Sequence, residues 1–136
     1  MYDNGRGVVK DYAQAVKWYR LAAEQGHELA QFALGSMYFN GKGVVQDYAQ
    51  AVNWYRLAAE QGQASAQFNL GVMYFNGKGV VQDNVYAHMW WNIAASSGNV
   101  NAGEKRDLIA AKMTAADISK AQELARACVA MNYKGC

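Results

Sequence analysis

Proline is absent from the sequence, cysteine occurs only twice, and there is neither a long apolar run nor a block of like charges. Without proline, the 13 glycines must supply the helix stops and turns. The 13 basic and 11 acidic residues are scattered and give a net charge of +2, so no nucleic-acid-binding patch is indicated. No apolar stretch approaches the roughly 20 residues of a membrane span. There remains one structural unit of 136 residues, 52% of them hydrophobic, which is enough for a packed core.

A repeat of 36 residues organises the chain. The block that begins at Met1 returns at Met37 and again at Met73. The third copy keeps the segment MYFNGKGVVQD over residues 73–83 and then diverges. A fixed period of this length is typical of stacked supersecondary units, so the sequence predicts a solenoid.

Each unit is predicted to contain two helices. The first runs from Asp47 to Gln61, because Asp47 can cap it, Gly62 can end it, and apolar residues recur at helical spacing. The second covers residues 64–75 and stops at Asn76. The recurring tryptophans of the first helix are expected in the core: Trp18, Trp54 and Trp90. Glycines inside the second helix type predict a close helix–helix approach: Gly35 and Gly71.

The C-terminal part departs from the repeat. In register with the apolar face of the second repeat stand Glu104, Arg106 and Asp107, as expected at the last stacking position of a solenoid. Thr114 then begins one more helix, which we expect to lie across the last repeat as a lid. This helix has a single apolar face: Ile118, Ala121, Leu124, Ala125 and Cys128.

The N-terminal edge has no comparable lid. Met1 corresponds to Met37, near the end of a helix, so the chain is expected to be a fragment of a longer array or the product of a rearranged gene. The helix over residues 11–25 should therefore leave part of its apolar stripe uncovered. Because such patches drive association, we expect self-association through this edge. The stripe comprises Ala15, Trp18, Tyr19 and Ala22.

The repeat pattern is A-x-x-x-L-G-x-M-Y-x-x-G-x-G-V-x-x-D-x-x-x-A-x-x-W-Y-x-x-A-A-x-x-G. It runs from Ala30 to Gly62 and, with Trp91 in place of the tyrosine, from Ala66 to Gly98. It resembles the Sel1-like repeat, a relative of the tetratricopeptide repeat. The resemblance implies an all-α solenoid, a right-handed superhelix of helix pairs that acts as a scaffold or adaptor. The single domain would comprise a partial repeat (1–26), two repeats (28–62 and 64–98), and capping helices with a tail (100–136).

The C-terminal segment MTAADISKAQELARACVAMNYKGC is similar to the tails of many bacterial members of this family. That similarity favours a disulfide between Cys128 and Cys136, formed if the last helix ends near Met131 and the chain turns back. Two free thiols are the alternative. Location also stays open, since the start lacks the apolar segment of a signal peptide but falls inside a repeat. The protein would be periplasmic or secreted if the parent gene carries a signal peptide, and cytoplasmic otherwise.

No catalytic constellation is found in the sequence. None of the five serines is followed by lysine three positions later, and K-T-G is absent. His27, His88 and the cysteines are too dispersed for a metal site. The Gly-Lys-Gly segments 41–43 and 77–79 are too short for a phosphate-binding loop and are interpreted as helix stops. We therefore expect no enzyme activity, no metal and no cofactor. Because some cysteine-rich relatives have been linked to β-lactams, binding or hydrolysis of β-lactams or cell-wall fragments is the alternative.

An apolar face on the second, shorter helix of each repeat is the candidate binding surface. At about 100° per residue, Phe32, Ser36 and Phe39 point away from the core position Leu34. In tetratricopeptide-like arrays, which this chain resembles, the shorter helices line a concave groove. The two earlier phenylalanines, Phe32 and Phe68, could instead fill contacts between repeats. The candidate groove residues are Phe32, Ser36, Phe39, Asn40, Phe68, Val72, Phe75 and Asn76. The expected partner is a protein or peptide, with neither nucleic-acid binding nor membrane insertion.

Overall fold

The computed structural model describes residues 11–136, a range that contains seven α-helices and no strand. In chain order they are α1 (Tyr12–Glu24), α2 (Glu28–Asn40), α3 (Tyr48–Ala59), α4 (Ala64–Asn76), α5 (Asn84–Ser96), α6 (Val100–Ala110) and α7 (Ala115–Ala130). Each helix from α1 to α6 packs on the next, and α7 packs back on α5. The fold is the α-solenoid that the repeat predicts. The first ten residues of the predicted partial repeat lie outside the described range.

Side-chain caps and left-handed glycines set the helix ends. An oxygen of Asp47 accepts a hydrogen bond from the Gln50 backbone N–H at 3.1 Å, and the Thr114 hydroxyl caps α7 in the same way. Helices α2 and α4 end at Gly41 and Gly77, both with φ of +67°, a conformation that glycine adopts without a steric cost. Local sequence therefore determines where these helices begin and end.

The recurring tryptophan is buried to a different degree in each repeat. Trp90 is fully buried, and Trp54 is half-buried against a first-repeat cluster that includes Val16 and Leu34. Trp18, in contrast, is 57% exposed. The prediction that Trp18 is a core residue is therefore wrong. Trp54 packs back on the preceding helix pair, whereas no helix precedes α1 within residues 11–136.

Buried glutamines connect consecutive repeats. The Gln67 side chain, in α4, donates to the Ala59 carbonyl at 3.1 Å and accepts from the Ser97 hydroxyl at 3.1 Å. One repeat earlier, Gln31 donates to a carbonyl of α1 and accepts from Gln61 at 2.8 Å. Each glutamine thus links the C-terminal ends of the first helices of two successive repeats, α1 with α3 and α3 with α5. Because a buried amide is costly without partners, this arrangement fixes the register of stacking.

The last helix covers α5 rather than both helices of the final pair. Its buried face consists of Ala121, Ala125 and Cys128, with Ile118 and Leu124 half-buried, in agreement with the predicted apolar face. Beyond α7 the chain turns back, and Cys136 is bonded to Cys128 with their Cα atoms 5.5 Å apart. The tail packs against the main core through Tyr133.

Candidate functional site

Two neighbouring cavities lie on the face formed by α2, α4 and α6, and they share Val72. The first cavity has a volume of about 220 Å³ and is lined by Ser36, Phe39, Asn40, Tyr55, Asn69, Val72 and Met73. The second has a volume of about 450 Å³ and is lined by Val72, Phe75, Asn76, Trp91, Lys105, Leu108, Ile109 and Lys112. We refer to the two cavities together as the groove.

The two cavities are copies of one site, displaced by one repeat. Every residue that lines the first cavity has its counterpart 36 positions later in the lining of the second. Phe39 corresponds to Phe75, for example, and Tyr55 to Trp91. The repeat therefore places equivalent positions side by side along one face of the solenoid.

The floor of the first cavity is polar. The Tyr55 hydroxyl lies 2.9 Å from the Ser36 hydroxyl in a hydrogen bond. Burial raises the pKa of Tyr55 above its ordinary value, while its hydrogen bonds to Ser36 and Asn69 oppose the shift. The phenol therefore stays neutral and serves as a hydrogen-bonding group. Gly35 makes room for this ring, because a Cβ atom there would lie 2.8 Å from Cδ1 of Tyr55.

The floor of the second cavity is a buried indole. The Trp91 ring nitrogen donates to the Phe68 carbonyl at 3.1 Å, and the Phe75 ring lies 5.7 Å away, centroid to centroid. Phe75 is 44% exposed. A Cβ atom at Gly71 would overlap the indole, so glycine is required for this close approach. The predicted tight contacts at Gly35 and Gly71 are thus contacts with the two aromatic floors.

Six of the eight predicted groove residues line the cavities: Ser36, Phe39, Asn40, Val72, Phe75 and Asn76. Phe32 and Phe68 do not. They pack against the floor rings of Tyr55 and Trp91, with centroid distances of 5.6 and 6.5 Å, which is the inter-repeat contact that the sequence left open as an alternative. The side chains of Asn40 and Asn76 donate to carbonyls one turn earlier in their helices.

The residues that form the cavity floors, and those of α6 and its C-terminal end that form the wall of the second cavity (the α6 wall), were not predicted from the sequence. In the second cavity these are Trp91, Lys105, Leu108, Ile109 and Lys112, and in the first they are Tyr55, Asn69 and Met73. The third repeat has diverged, so its residues do not resemble their counterparts. The signal that could have found the α6 wall was positional, because these residues lie one repeat after groove-facing positions of α4.

The Gly-Lys-Gly connectors pack onto the repeat before them. The Lys78 ammonium lies 5.5 Å from the ring centroid of Phe39 and 5.2 Å from that of Tyr48, a cation–π arrangement. Lys42 lies over the Tyr12 ring in the same way. The interpretation of these segments as helix stops agrees with the left-handed glycines at their starts.

Among residues 11–136, no cluster of histidine, cysteine or carboxylate side chains is suited to hold a metal ion. In the same range, no helix is long and apolar enough to cross a bilayer. The buried histidine of α5, His88, has no hydrogen-bond partner for its Nδ1 atom in the described part of the chain. Burial lowers the pKa of His88, the Arg106 charge lowers it further, and Asp107 opposes the shift.

Replacing His88 with valine, the residue at the equivalent positions 16 and 52, is expected to reduce acid sensitivity. Because the folded-state pKa lies below the unfolded value, neutral His88 contributes stability above about pH 6.5 that is lost as the pH falls further. Urea unfolding should show that the free energy of unfolding falls less between about pH 7.5 and about pH 5 in His88→Val than in the wild type. Equal losses would show that folding does not lower the pKa of His88. Both proteins contain the exposed His27, so His27 cannot cause a difference between them.

The family model for the Sel1 repeat matches residues 1–27, 29–63 and 64–99. The chain belongs to the Sel1 repeat family. Sel1 repeats typically form scaffolds for protein interaction and are generally non-catalytic.

Solved structures show the same architecture. The chain is similar to c5321, described as a protective antigen of uropathogenic Escherichia coli with an SLR fold, with 34% identity, a TM-score of 0.87 and coverage of 95% of this chain. It is also similar to a Sel1 repeat protein from Oxalobacter formigenes, with 40% identity, a TM-score of 0.74 and 79% coverage. Cysteine-rich protein B of Helicobacter pylori matches with 27% identity, a TM-score of 0.63 and 65% coverage.

The chain spans 29% of the E. coli protein, 44% of the Oxalobacter protein and 67% of the Helicobacter protein. A comparison with curated protein sequences gave no match.

Proposed function

We propose that this chain is a protein- or peptide-binding scaffold and that the groove is its binding surface. The recurrence of one cavity, with equivalent lining, in two successive repeats is the observation that carries the proposal. Concave sites lined mainly by apolar and aromatic side chains, with a few polar groups, are typical of ligand binding. Phe75 supports this role, because a partly exposed aromatic ring at the mouth of a cavity is a typical binding anchor.

Binding is favoured over catalysis by the chemistry of the lining. The groove contains hydroxyl, amide, aromatic and lysine side chains, and no histidine, carboxylate or cysteine. The lysines have no neighbouring serine in the second cavity that they could activate. The family's usual role in protein interaction agrees with this, and it does not favour the β-lactam alternative.

A peptide selection tests the proposal. Random peptides displayed on phage would be selected on the immobilised protein, and their affinities measured for the wild type and for Phe39→Ser/Phe75→Ser. Because one aromatic anchor commonly contributes about 2 kcal/mol, which is about thirtyfold in affinity, loss of both should weaken binding of the selected peptides by between about thirtyfold and about a thousandfold. The helical circular-dichroism signal of the double variant should be unchanged.

The matched control is Leu21→Ser/Leu57→Ser, which removes two exposed apolar side chains outside the groove. This variant should bind within about twofold of the wild type, since surface changes away from a site are usually worth under about 0.5 kcal/mol. Selected peptides that bind the phenylalanine variant normally would place binding elsewhere. An unfolded phenylalanine variant would mean that these residues are part of the core.

An exposed apolar patch on α1 and α2 supports self-association as a second, separate proposal. It borders a shallow pocket with a volume of about 490 Å³, lined in part by Trp18 and Leu29. These two side chains are 57% and 70% exposed. Light scattering should show dimers or larger species that Trp18→Ser/Leu29→Ser returns to monomers. A wild-type protein that stays monomeric at high concentration would contradict this proposal.

A further inference from the structure

We propose that the second cavity binds an acidic peptide segment that carries a bulky apolar side chain, and that Lys105 and Lys112 form ion pairs with its carboxylates. This inference rests on the proposed function and specifies its ligand. The observation behind it is that the two cavities, although copies by position, differ systematically in chemistry.

Three of the four polar residues of the first cavity are replaced in the second, whereas Asn40 keeps its residue type as Asn76. Where the first cavity has Asn69, the second has Lys105, and Lys112 stands one repeat after Asn76. The hydrogen-bonded pair Ser36 and Tyr55 at the floor of the first cavity corresponds to Val72 and Trp91 in the second. The second cavity thereby has two cations on its wall and an apolar floor in place of a polar one, and it has about twice the volume of the first.

Both lysines belong to the wall of the second cavity. Lys105 lies within α6, and Lys112 lies two residues beyond the end of that helix at Ala110. Both side chains are exposed, and neither is in an ion pair among the described residues. The Asp107 carboxylate is paired with Arg106 at 3.1 Å. The cations at the cavity wall are therefore available to an external carboxylate.

Leu108 and Ile109, which stand between the two lysines in the sequence, supply part of the apolar wall of the cavity. Leu108 is largely exposed, and it lines the cavity together with Phe75 and Trp91. A branched or aromatic side chain buried there removes apolar area from water, while flanking carboxylates meet the ammonium groups. At about 3.3 Å per residue, acidic residues three positions apart in an extended peptide are about 10 Å apart, so that each lysine is offered a separate carboxylate.

The test uses the blocked peptide Gly-Glu-Phe-Leu-Glu-Gly, acetylated and amidated, with a fluorescent label for anisotropy. Wild-type protein should bind this probe, and the version with glutamine for glutamate should bind at least about tenfold more weakly. The variant Lys105→Asn/Lys112→Asn, which restores the residue type of the previous repeat, should cause a similar loss. The matched control, Lys17→Asn/Lys120→Asn, removes two exposed lysines elsewhere and should change affinity by less than about twofold.

Failure of this inference is distinguishable from failure of the proposed function. Undetectable binding of the acidic probe, equal binding of the glutamine probe, or an unaffected lysine variant would each overturn the recognition of acidic peptides. In those cases, selected peptides that still depend on Phe39 and Phe75 would leave the groove proposal standing. A third probe with a free C-terminal carboxylate and no glutamates, if it alone binds, would show that the lysines read a chain terminus and would also overturn the inference.

Discussion

Replacing Trp90 with alanine is expected to lower the free energy of unfolding by about 3–5 kcal/mol, the usual cost of removing a buried aromatic side chain. Trp90 is fully buried in the main core. Its ring nitrogen has no hydrogen-bond partner among the described residues, so the loss is one of packing. Against a total stability of about 5–15 kcal/mol, this change removes a large fraction.

The same substitution at the equivalent tryptophans of the other repeats is expected to cost less stability. Trp54→Ala should cost less than Trp90→Ala, because Trp54 is only half-buried, and Trp18→Ala should cost under about 1 kcal/mol, because its side chain is 57% exposed. Urea denaturation of the three variants measures the order directly. Equal costs at the three positions would contradict the different packing of the three repeats.

Gly71→Ala and Gly103→Ala are expected to change stability in opposite directions. Both glycines lie inside helices, where alanine is favoured by about 1 kcal/mol. At Gly71 the added methyl group meets the indole of Trp91, and overpacking of this kind costs about 1–3 kcal/mol or more. At Gly103 the nearest atom is 3.6 Å away, which is ordinary contact, so only the gain in helix propensity remains.

Thermal unfolding of the two alanine variants therefore separates the two effects. Gly71→Ala should have a lower Tm than the wild type and Gly103→Ala a higher one. Because Trp91 also forms the floor of the second cavity, Gly71→Ala should weaken peptide binding as well. A stabilised Gly71→Ala variant would mean that the Trp91 ring can move aside freely.

Local and periodic features of the sequence predict most of the fold. Capping residues such as Asp47 and Thr114, and the left-handed glycines Gly41 and Gly77, act within one turn of helix, so the chain alone shows where the helices begin and end. For Trp18 two predictions conflicted, since the recurring tryptophan indicated a core position and the N-terminal edge indicated a partly uncovered stripe; the second agrees with its exposure. Its burial depends on whether another helix pair packs against it, and the repeat period carries no information on that.

The groove was predictable to the extent that the repeat is regular. Phe39 and Phe75 are identical in successive copies and were found. Lys105 and Lys112 were missed, since the segment around α6 no longer resembles α2 and α4 in sequence, although it keeps the corresponding position in the solenoid. The difference between the two cavities arises from that divergence, and it became visible only when the equivalent residues were placed on one face.

The most direct measurement of the central claim is a nuclear magnetic resonance titration of the labelled protein with a selected peptide. If the groove is the binding surface, the largest amide shift changes should lie around the cavity residues of α2, α4 and α6 and extend across both cavities. Shift changes concentrated on the connectors 41–43 and 77–79, or on α1 and α7, with the groove amides unmoved, would contradict it.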